Sequence, residues 1–425
     1  MQLYNNPLPA EWSTLCQRPT ASFDALLPTI RTVFDRVAQD GDAALLAYTQ
    51  EFDGVALNHL VVSQDETDHK AVSPSLQDAI RQAYNNIKVF HEAQQTEPVA
   101  VETQPGVHCW QKKYPIEKVG LYIPGGTAPL FSTVLMLAIP AQVAGCQEIV
   151  LCSPPQKNGE IAPEVLFAAS LCGVTKIFKV GGAQAVAAMA LGTESIPKVD
   201  KIFGPGNQYV TAAKQFASQG NVAIDMPAGP SEVLVAIDET ASIDFVAADL
   251  LSQAEHGADS QVVLVTTALE NLEALQQEIE NQLAVLPRKD FAAKALKNSK
   301  IVCFDTDQQA IDFINAYAPE HYIINVANTE RYVTGVRHAG SVFIGPYTPE
   351  SAGDYASGTN HTLPTNGYAR QYSGVHLDSF QKAITFQEIT PKGIQNLGPI
   401  VEEMAAAEGL QAHKNAITVR LNSLP

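Results

Sequence analysis

The sequence predicts an α/β protein made of two successive parallel-sheet units, and three observations predict it. From Val119 onward, short apolar runs end in glycine turns and lead into helices, again and again. That rhythm is the sequence form of a parallel sheet with crossover helices. After Pro227-Ala228-Gly229-Pro230 it starts afresh. The length of 425 residues, with 46% hydrophobic and 17% charged, suits two or three domains of ~150 residues and excludes general disorder.

The first hundred residues read as helical. Phe23 to Gln39 carries Leu26, Ile30, Val33, Phe34 and Val37 at helical spacing. Gly41-Asp42 breaks it, and a second helix runs to about Phe52. Ser73-Pro74 opens an amphipathic helix through Ile80, Ala83, Ile87 and Phe90. The first sheet unit has strands at Gly120–Pro124, Glu148–Cys152, Lys176–Val180 and Lys201–Phe203, with helices between them. Ala128 to Gln147 is uncharged but holds Pro140, Gln142, Gly145 and Gln147. A lipid-facing helix would rarely carry so many such residues, so a buried helix is expected. The second unit has strands at Ser231–Ile237, Gln261–Val265, Ile301–Phe304 and Tyr322–Val326. Helices are expected at Asp244–Ala254, at Leu269–Leu283 and from Gln308. The final fifty residues end in a helix from Gly393. They are too few for a good core of their own, so they lean on another domain or another subunit.

Composition narrows the function classes. The 27 Lys+Arg against 45 Asp+Glu give a formal net charge of −18. That disfavours nucleic acid and an anionic membrane as partners and weakly attracts a small cation. Cys16, Cys109, Cys146, Cys152, Cys172 and Cys303 form no C-x-x-C pair. They read as free thiols in a reducing compartment, not as a thiolate zinc site or a disulfide framework. The start, Met1-Gln2-Leu3-Tyr4-Asn5-Asn6-Pro7, lacks basic and apolar regions. No signal peptide is expected, and the cytoplasm is the expected location.

In open α/β sheets ligands gather beyond the carboxyl ends of strands. The turns Gly125-Gly126, Gly181-Gly182-Ala183-Gln184 and Gly204-Pro205-Gly206-Asn207 sit at such ends, although no G-x-G-x-x-G follows any strand. Each is either a tight turn or a phosphate cradle. Of ten histidines, His59, His69, His91, His108, His338 and His376 lie among ordinary residues. His256, His321, His361 and His413 lie in polar clusters. Gln253 and His256 share a helix face, with Gly257 placed to cap the helix. The pair could hold a metal, or His256 could complement the helix dipole. Glu320-His321 is either a solvated loop pair or a carboxylate and imidazole suited to general-base work. Pro349 to His361 reads as a long polar loop, and Asp354 and His361 in it are of metal-ligand type.

These motifs together resemble the histidinol dehydrogenase family. The resemblance is carried by Gly120–Gly126, Ile202–Asn207, Pro227–Glu232, Ser252–Gly257, Pro319–His321 and Ser351–His361, and runs from about residue 20 to the tail. It implies two Rossmann-like α/β domains with incomplete nucleotide-binding motifs, plus small N- and C-terminal segments engaged in dimerisation. Residues 1–20 would be the N-terminal segment, and 21–121 with 233–375 a larger discontinuous domain. Residues 122–232 would form an inserted NAD-binding domain. Residues 376–425 would form a helical segment completing the partner subunit's active site. The implied reaction is the oxidation of L-histidinol through L-histidinal to L-histidine with reduction of two NAD+. It would be run by a homodimer holding one Zn2+ per subunit. The implied zinc ligands are Gln253, His256, Asp354 and His413, and the implied catalytic pair is Glu320 and His321. Ser231, His361 and Glu408 would contact the substrate alongside the ligands. Tyr122, Gln184 and Asn207 would contact NAD+.

Two rival readings stand beside it. A thiol-ester aldehyde dehydrogenase would need a nucleophilic cysteine. Cys152, at a strand end, is the only tempting one, and Ser153-Pro154-Pro155 after it supplies no base. A non-catalytic zinc- or nucleotide-binding protein would need a damaged ligand set or Glu-His pair, and all those residues are present.

Overall fold

The computed structural model describes residues 1–19, 23–63, 71–125, 129–227 and 229–425. His69, Gly126, Ala128 and Ala228, named above, lie outside the described residues. The chain divides into two units. One holds Met1–Gln94 and Ile116–Phe380, the other Gln95–Pro115 and Gln381–Pro425.

The larger unit contains both expected parallel sheets. One runs Lys176–Lys179, Glu148–Ser153, Lys118–Tyr122, Lys201–Phe203, Ala223–Ile224, with all neighbours parallel. The other runs Gln2–Asn5, Lys300–Cys303, Gln261–Thr266, Glu232–Ile237, His321–Asn325, Ser341–Ile344, again all parallel. Central strands such as Glu232–Ile237 and Gln261–Thr266 are buried at every position. Their near-continuous Val, Leu and Ile content follows from helices covering both faces. The helix Phe131–Ala144 is apolar almost all round and buried along its length. It lies in the core of the five-stranded sheet, as its missing charge and its prolines required.

The sheets divide the chain differently from the expected segments. The helices Phe23–Asp40 and Asp42–Tyr48 share a core with Gly182–Leu191 and Gln208–Ala217. This early stretch therefore lies with the five-stranded sheet and not with residues 233–375. Lys118–Tyr122 is that sheet's central strand, so the sheet begins before residue 122. Gln2–Asn5, within the stretch read as helical, is an edge strand beside Lys300–Cys303. Its partner is 298 positions away along the chain, so local sequence carried no sign of it.

The smaller unit contains a sheet absent from the expectation. Gln381–Ile389 pairs antiparallel with Val107–Pro115, which pairs with Ala100–Gln104. These strands are largely exposed and carry Lys, Gln and Glu among their apolar residues, so they lack a clear period-2 pattern. Helices Pro391–Ala407 and Gln411–Leu421 complete the unit. No helix among the described residues is long and apolar enough to cross a membrane.

One buried ion pair closes the five-stranded sheet at its ligand side. Lys214 pairs with Asp225, both side chains nearly inaccessible. Lys214 Nζ donates to the Gly204 carbonyl at 2.8 Å, and the Gly204 amide donates to Asp225 at 2.8 Å. Removing one partner of such a pair strands a buried charge. Lys214→Met is therefore expected to cost about 3–5 kcal/mol, whereas Lys176→Met, breaking the solvated pair with Glu148, should cost less than about 1 kcal/mol. Thermal melts of the two variants side by side check the difference.

Candidate active site

The site forms where the two sheets of the larger unit face one cleft of about 300 Å³. On the five-stranded side the lining comes from the carboxyl ends of strands. Tyr122 ends one, and Gly204 to Asn207 follow another. On the six-stranded side it comes from the opposite, amino ends. Ser231 precedes Glu232–Ile237, Ser260 precedes Gln261–Thr266, and Glu320 precedes His321–Asn325. The carboxyl-end expectation thus holds for one sheet only.

The amino end of Glu232–Ile237 organises the Glu-His pair. The Glu232 amide donates to Glu320 Oε2 at 2.8 Å. The Glu232 carbonyl accepts from His321 Nδ1 at 3.1 Å. That bond places the proton on Nδ1 and leaves Nε2 as the free nitrogen. Neighbouring residues of a strand point to opposite sides, but Glu320 lies just outside its strand. The chain turns sharply at Ala318, which has a φ of 54°. Both side chains are therefore buried side by side, 3.6 Å apart.

Gln253 is in the last turn of the helix Ile243–Ala254 and is fully buried. Neither its amide oxygen nor its nitrogen has a hydrogen-bond partner. The helix ends at Ala254 with Glu255 as its cap, so Gly257 does not cap it. His256 follows, with its carbonyl and that of Glu255 held by Arg288.

The segment after Pro349 is not the expected loop throughout. Glu350–Tyr355 is a short helix. It approaches the sheet so closely that a Cβ on Gly353 would meet the Phe343 ring at 2.6 Å, which accounts for the glycine. Asp354 Oδ1 lies 3.5 Å from His321 Nε2, without the geometry of a hydrogen bond. Glu350, four residues earlier on the same helix face, is buried and has one oxygen unpaired. Its other oxygen is 3.7 Å from His321 Nδ1. Sequence reasoning missed Glu350. The i, i+4 spacing to Asp354 was the available sign, but it needed a helix where a loop was read. His361 Nδ1 donates to the Asp354 carbonyl at 2.9 Å, and its Nε2 meets Thr133 Oγ1 at 3.1 Å.

The structure thus brings Tyr122, Asn207, Ser231, Gln253, His256, Glu320, His321, Asp354 and His361 to one cleft. Gln184 is buried in the first turn of Gly182–Leu191 and is not among the lining residues. Glu408 and His413 are exposed residues of the smaller unit. Two glycine amides expected to face a phosphate are used internally. Gly204 donates to Asp225, and Gly182 donates to the Tyr122 hydroxyl at 3.1 Å. Asn207 caps its helix by accepting from the amides of Tyr209 and Val210.

Electrostatics concentrate on the His321 ring. Burial pushes Glu320 up to about 8, with His321 pulling the other way. Burial alone would lower His321, but Glu350, Glu320 and Asp354 around it raise it well above the usual range. Burial raises Glu350 strongly. Burial would also raise Asp354, yet the His321 ring holds it below its ordinary value. Loss of hydration lowers His256 and His361.

The donors fit a divalent metal ion. Ligand atoms of His256, Glu350 and Asp354 lie within 4.8 Å of one another. The orphaned Gln253 amide supplies a neutral oxygen beside the same cleft. A nitrogen and oxygen set without thiolate suits a reversibly held ion with open positions.

Parallel sheets meeting at a buried carboxylate–imidazole pair beside metal-competent donors are the framework of an α/β enzyme. The histidinol dehydrogenase family model matches residues 16–421. A relative named histidinol dehydrogenase from Bacteroides thetaiotaomicron is 59% identical over 427 residues, covering 100% of both chains. A chloroplastic histidinol dehydrogenase of Arabidopsis thaliana is 54% identical over 97% of this chain and 89% of its own. The crystal structure of histidinol dehydrogenase from Elizabethkingia anophelis has a TM-score of 0.96 at 56% identity, covering 100% of this chain and 98% of that one. The chain belongs to the histidinol dehydrogenase family. It is an NAD-dependent oxidoreductase acting on CH–OH groups.

The orphaned amide generates a prediction. Gln253→Met removes two unsatisfied polar atoms from a buried position. The metal-free variant should be at least as stable as the parent. Its zinc affinity should fall at least tenfold, measured by competition with a chromophoric chelator.

Proposed function

We propose that the protein catalyses the zinc-dependent four-electron oxidation of L-histidinol to L-histidine, closing histidine biosynthesis in the cytoplasm. The observation that carries this reading is the Glu320–His321 pair, held by the main chain of one residue, Glu232, beside the metal-competent donors. In the first step His321 Nε2 takes the hydroxyl proton while carbon gives hydride to NAD+, leaving L-histidinal. Glu320 then removes a proton from water as that water adds to the aldehyde. The hydrate gives its hydride to a second NAD+ and becomes the carboxylate. One water is consumed, and two NADH and three protons are released. Holding the aldehyde in a buried cleft protects it between the steps.

Gln253, His256 and Asp354 would hold the zinc. His413, from the 376–425 segment of a second subunit, would complete the set in a homodimer with shared sites. Bound there, the ion supplies a Lewis-acidic charge that orients the substrate's imidazole and amine. Glu350, buried next to Asp354, stands close enough to join or support these ligands. Ser231, His361 and the second subunit's Glu408 would bind the substrate's polar groups. Tyr122, Gln184 and Asn207 of the 122–232 segment would bind NAD+, with Gln184 reaching it only if its side chain turns outward. The rival thiol-ester chemistry finds no support at Cys152. That thiol is fully buried, and burial pushes its pKa far up.

Limiting L-histidinol should yield two NADH, lost on chelation and restored by zinc. One NADH would place the failure in the hydration step, and none with zinc present would refute the reading. Glu320 must be ionised to act as a base. Because its pKa is raised to about 8, turnover should climb through neutral pH and level off above about pH 8. Glu320→Gln should abolish that rise and lower kcat at least a hundredfold. Cys152→Ala should keep both NADH equivalents. Loss of the second equivalent in that variant would favour the thiol-ester rival.

A further inference from the structure

The main chain of Glu232 holds both members of the catalytic pair, and its side chain has had no role so far. Its own side chain is buried and answered by one cation. Arg18 Nε donates to Oε2 at 2.7 Å and Arg18 Nη2 to Oε1 at 2.8 Å, a two-pronged pair. Arg18 is itself fixed. Its Nη1 donates to the Cys16 carbonyl at 2.7 Å and its Nη2 to the Tyr317 carbonyl at 2.8 Å. The guanidinium lies 3.6 Å from the Tyr317 ring centroid. The Tyr317 hydroxyl donates to Gln261 at 2.8 Å, tying in the neighbouring strand. Tyr317 is three residues before Glu320, so Arg18 grips both the chain leading into the catalytic pair and the strand start that holds it.

We propose that Arg18 is a positioning residue for the reaction, acting through Glu232 on the placement of Glu320 and His321. The N-terminal segment is then part of the catalytic apparatus without touching substrate. The argument is geometric. The Glu232 amide and carbonyl can serve Glu320 and His321 together only if the two peptides flanking its Cα keep one orientation. Its buried carboxylate, three bonds from that Cα, is held in place by the Arg18 fork. Without Arg18 the carboxylate would be buried with its charge unpaired and would drive the segment to rearrange. A displacement near 1 Å at a reacting group costs on the order of a hundredfold in rate.

This inference rests on Glu320 and His321 carrying the chemistry, and the test separates the two. The full-length zinc-loaded enzyme is assayed with L-histidinol and NAD+, as parent, Arg18→Met, Arg18→Lys, Arg18→Ala and Glu320→Gln. Arg18→Met is expected to lower kcat about 10- to 100-fold, with KM for L-histidinol within about twofold of the parent. Arg18→Lys keeps the charge but loses the fork and should fall between. Arg18 lines a second, open cleft, so added guanidinium should reach the gap in Arg18→Ala and restore part of its kcat. It should not restore Glu320→Gln. A purely structural Arg18 would lower the melting temperature and leave the kcat of the folded fraction unchanged, which would overturn the proposal. So would a rise in KM alone. If Arg18→Met fails to fold, Arg18→Lys decides by the same kcat-to-KM comparison. If Glu320→Gln turns over at the parental rate, the assignment of the catalytic pair fails instead.

Discussion

The site depends on the main chain of one residue, Glu232, at the amino end of the strand Glu232–Ile237. Its N–H goes to the Glu320 carboxylate and its C=O accepts from the His321 ring. A strand start serves here as a two-handed clamp: the amide holds the carboxylate and the carbonyl sets the imidazole tautomer. Strand pairing fixes that stretch of main chain, because Glu232 lies beside Gln261 and Val233 beside His321 in register. The catalytic geometry therefore inherits its precision from the sheet and not from a loop.

Around the clamp, three carboxyl groups crowd one imidazole in a nearly water-free place. Glu320, Glu350 and Asp354 cannot all ionise there without compensating positive charge. A protonated His321 ring would meet part of that demand, and the carboxylates raise its proton affinity accordingly. A base, however, must be free to take up a proton. A divalent ion among Gln253, His256 and the helix Glu350–Tyr355 would balance the carboxylates and leave the imidazole available. Metal binding and base strength are thus two sides of one charge balance, and the uncharged Gln253 adds a donor without adding to the excess.

How much of this was legible in the sequence varies with the physics of each part. The parallel strands were readable because burial on both faces demands unbroken Val, Leu and Ile, and Pro–Gly punctuation marks their ends. Gln253-x-x-His256, Glu320-His321 and Asp354 with His361 stood out as polar clusters against that apolar background, and all of them line the cleft. Arg18 and Glu232 gave no local sign, since their partnership spans 214 positions. Glu350 looked like any surface glutamate until the helix around it placed it inward. Which ends of the strands face the cleft depends on the order of strands and the relation of the two sheets, and no local pattern encodes that. The antiparallel sheet of the smaller unit was hidden because its polar, exposed strands share the composition of loops.

The reversed use of the six-stranded sheet has a consequence for how this chain tolerates change. Its carboxyl rim, where such folds normally keep their chemistry, is formed by turns such as that around Glu239–Thr240 and that around Leu269–Glu270, which are solvent-exposed. A six-residue strand separates that rim from Glu320 by ~20 Å. Evolution or an engineer is free to lengthen those turns, graft a tag or display a peptide there. The customary workbench of the fold is vacant real estate on this sheet.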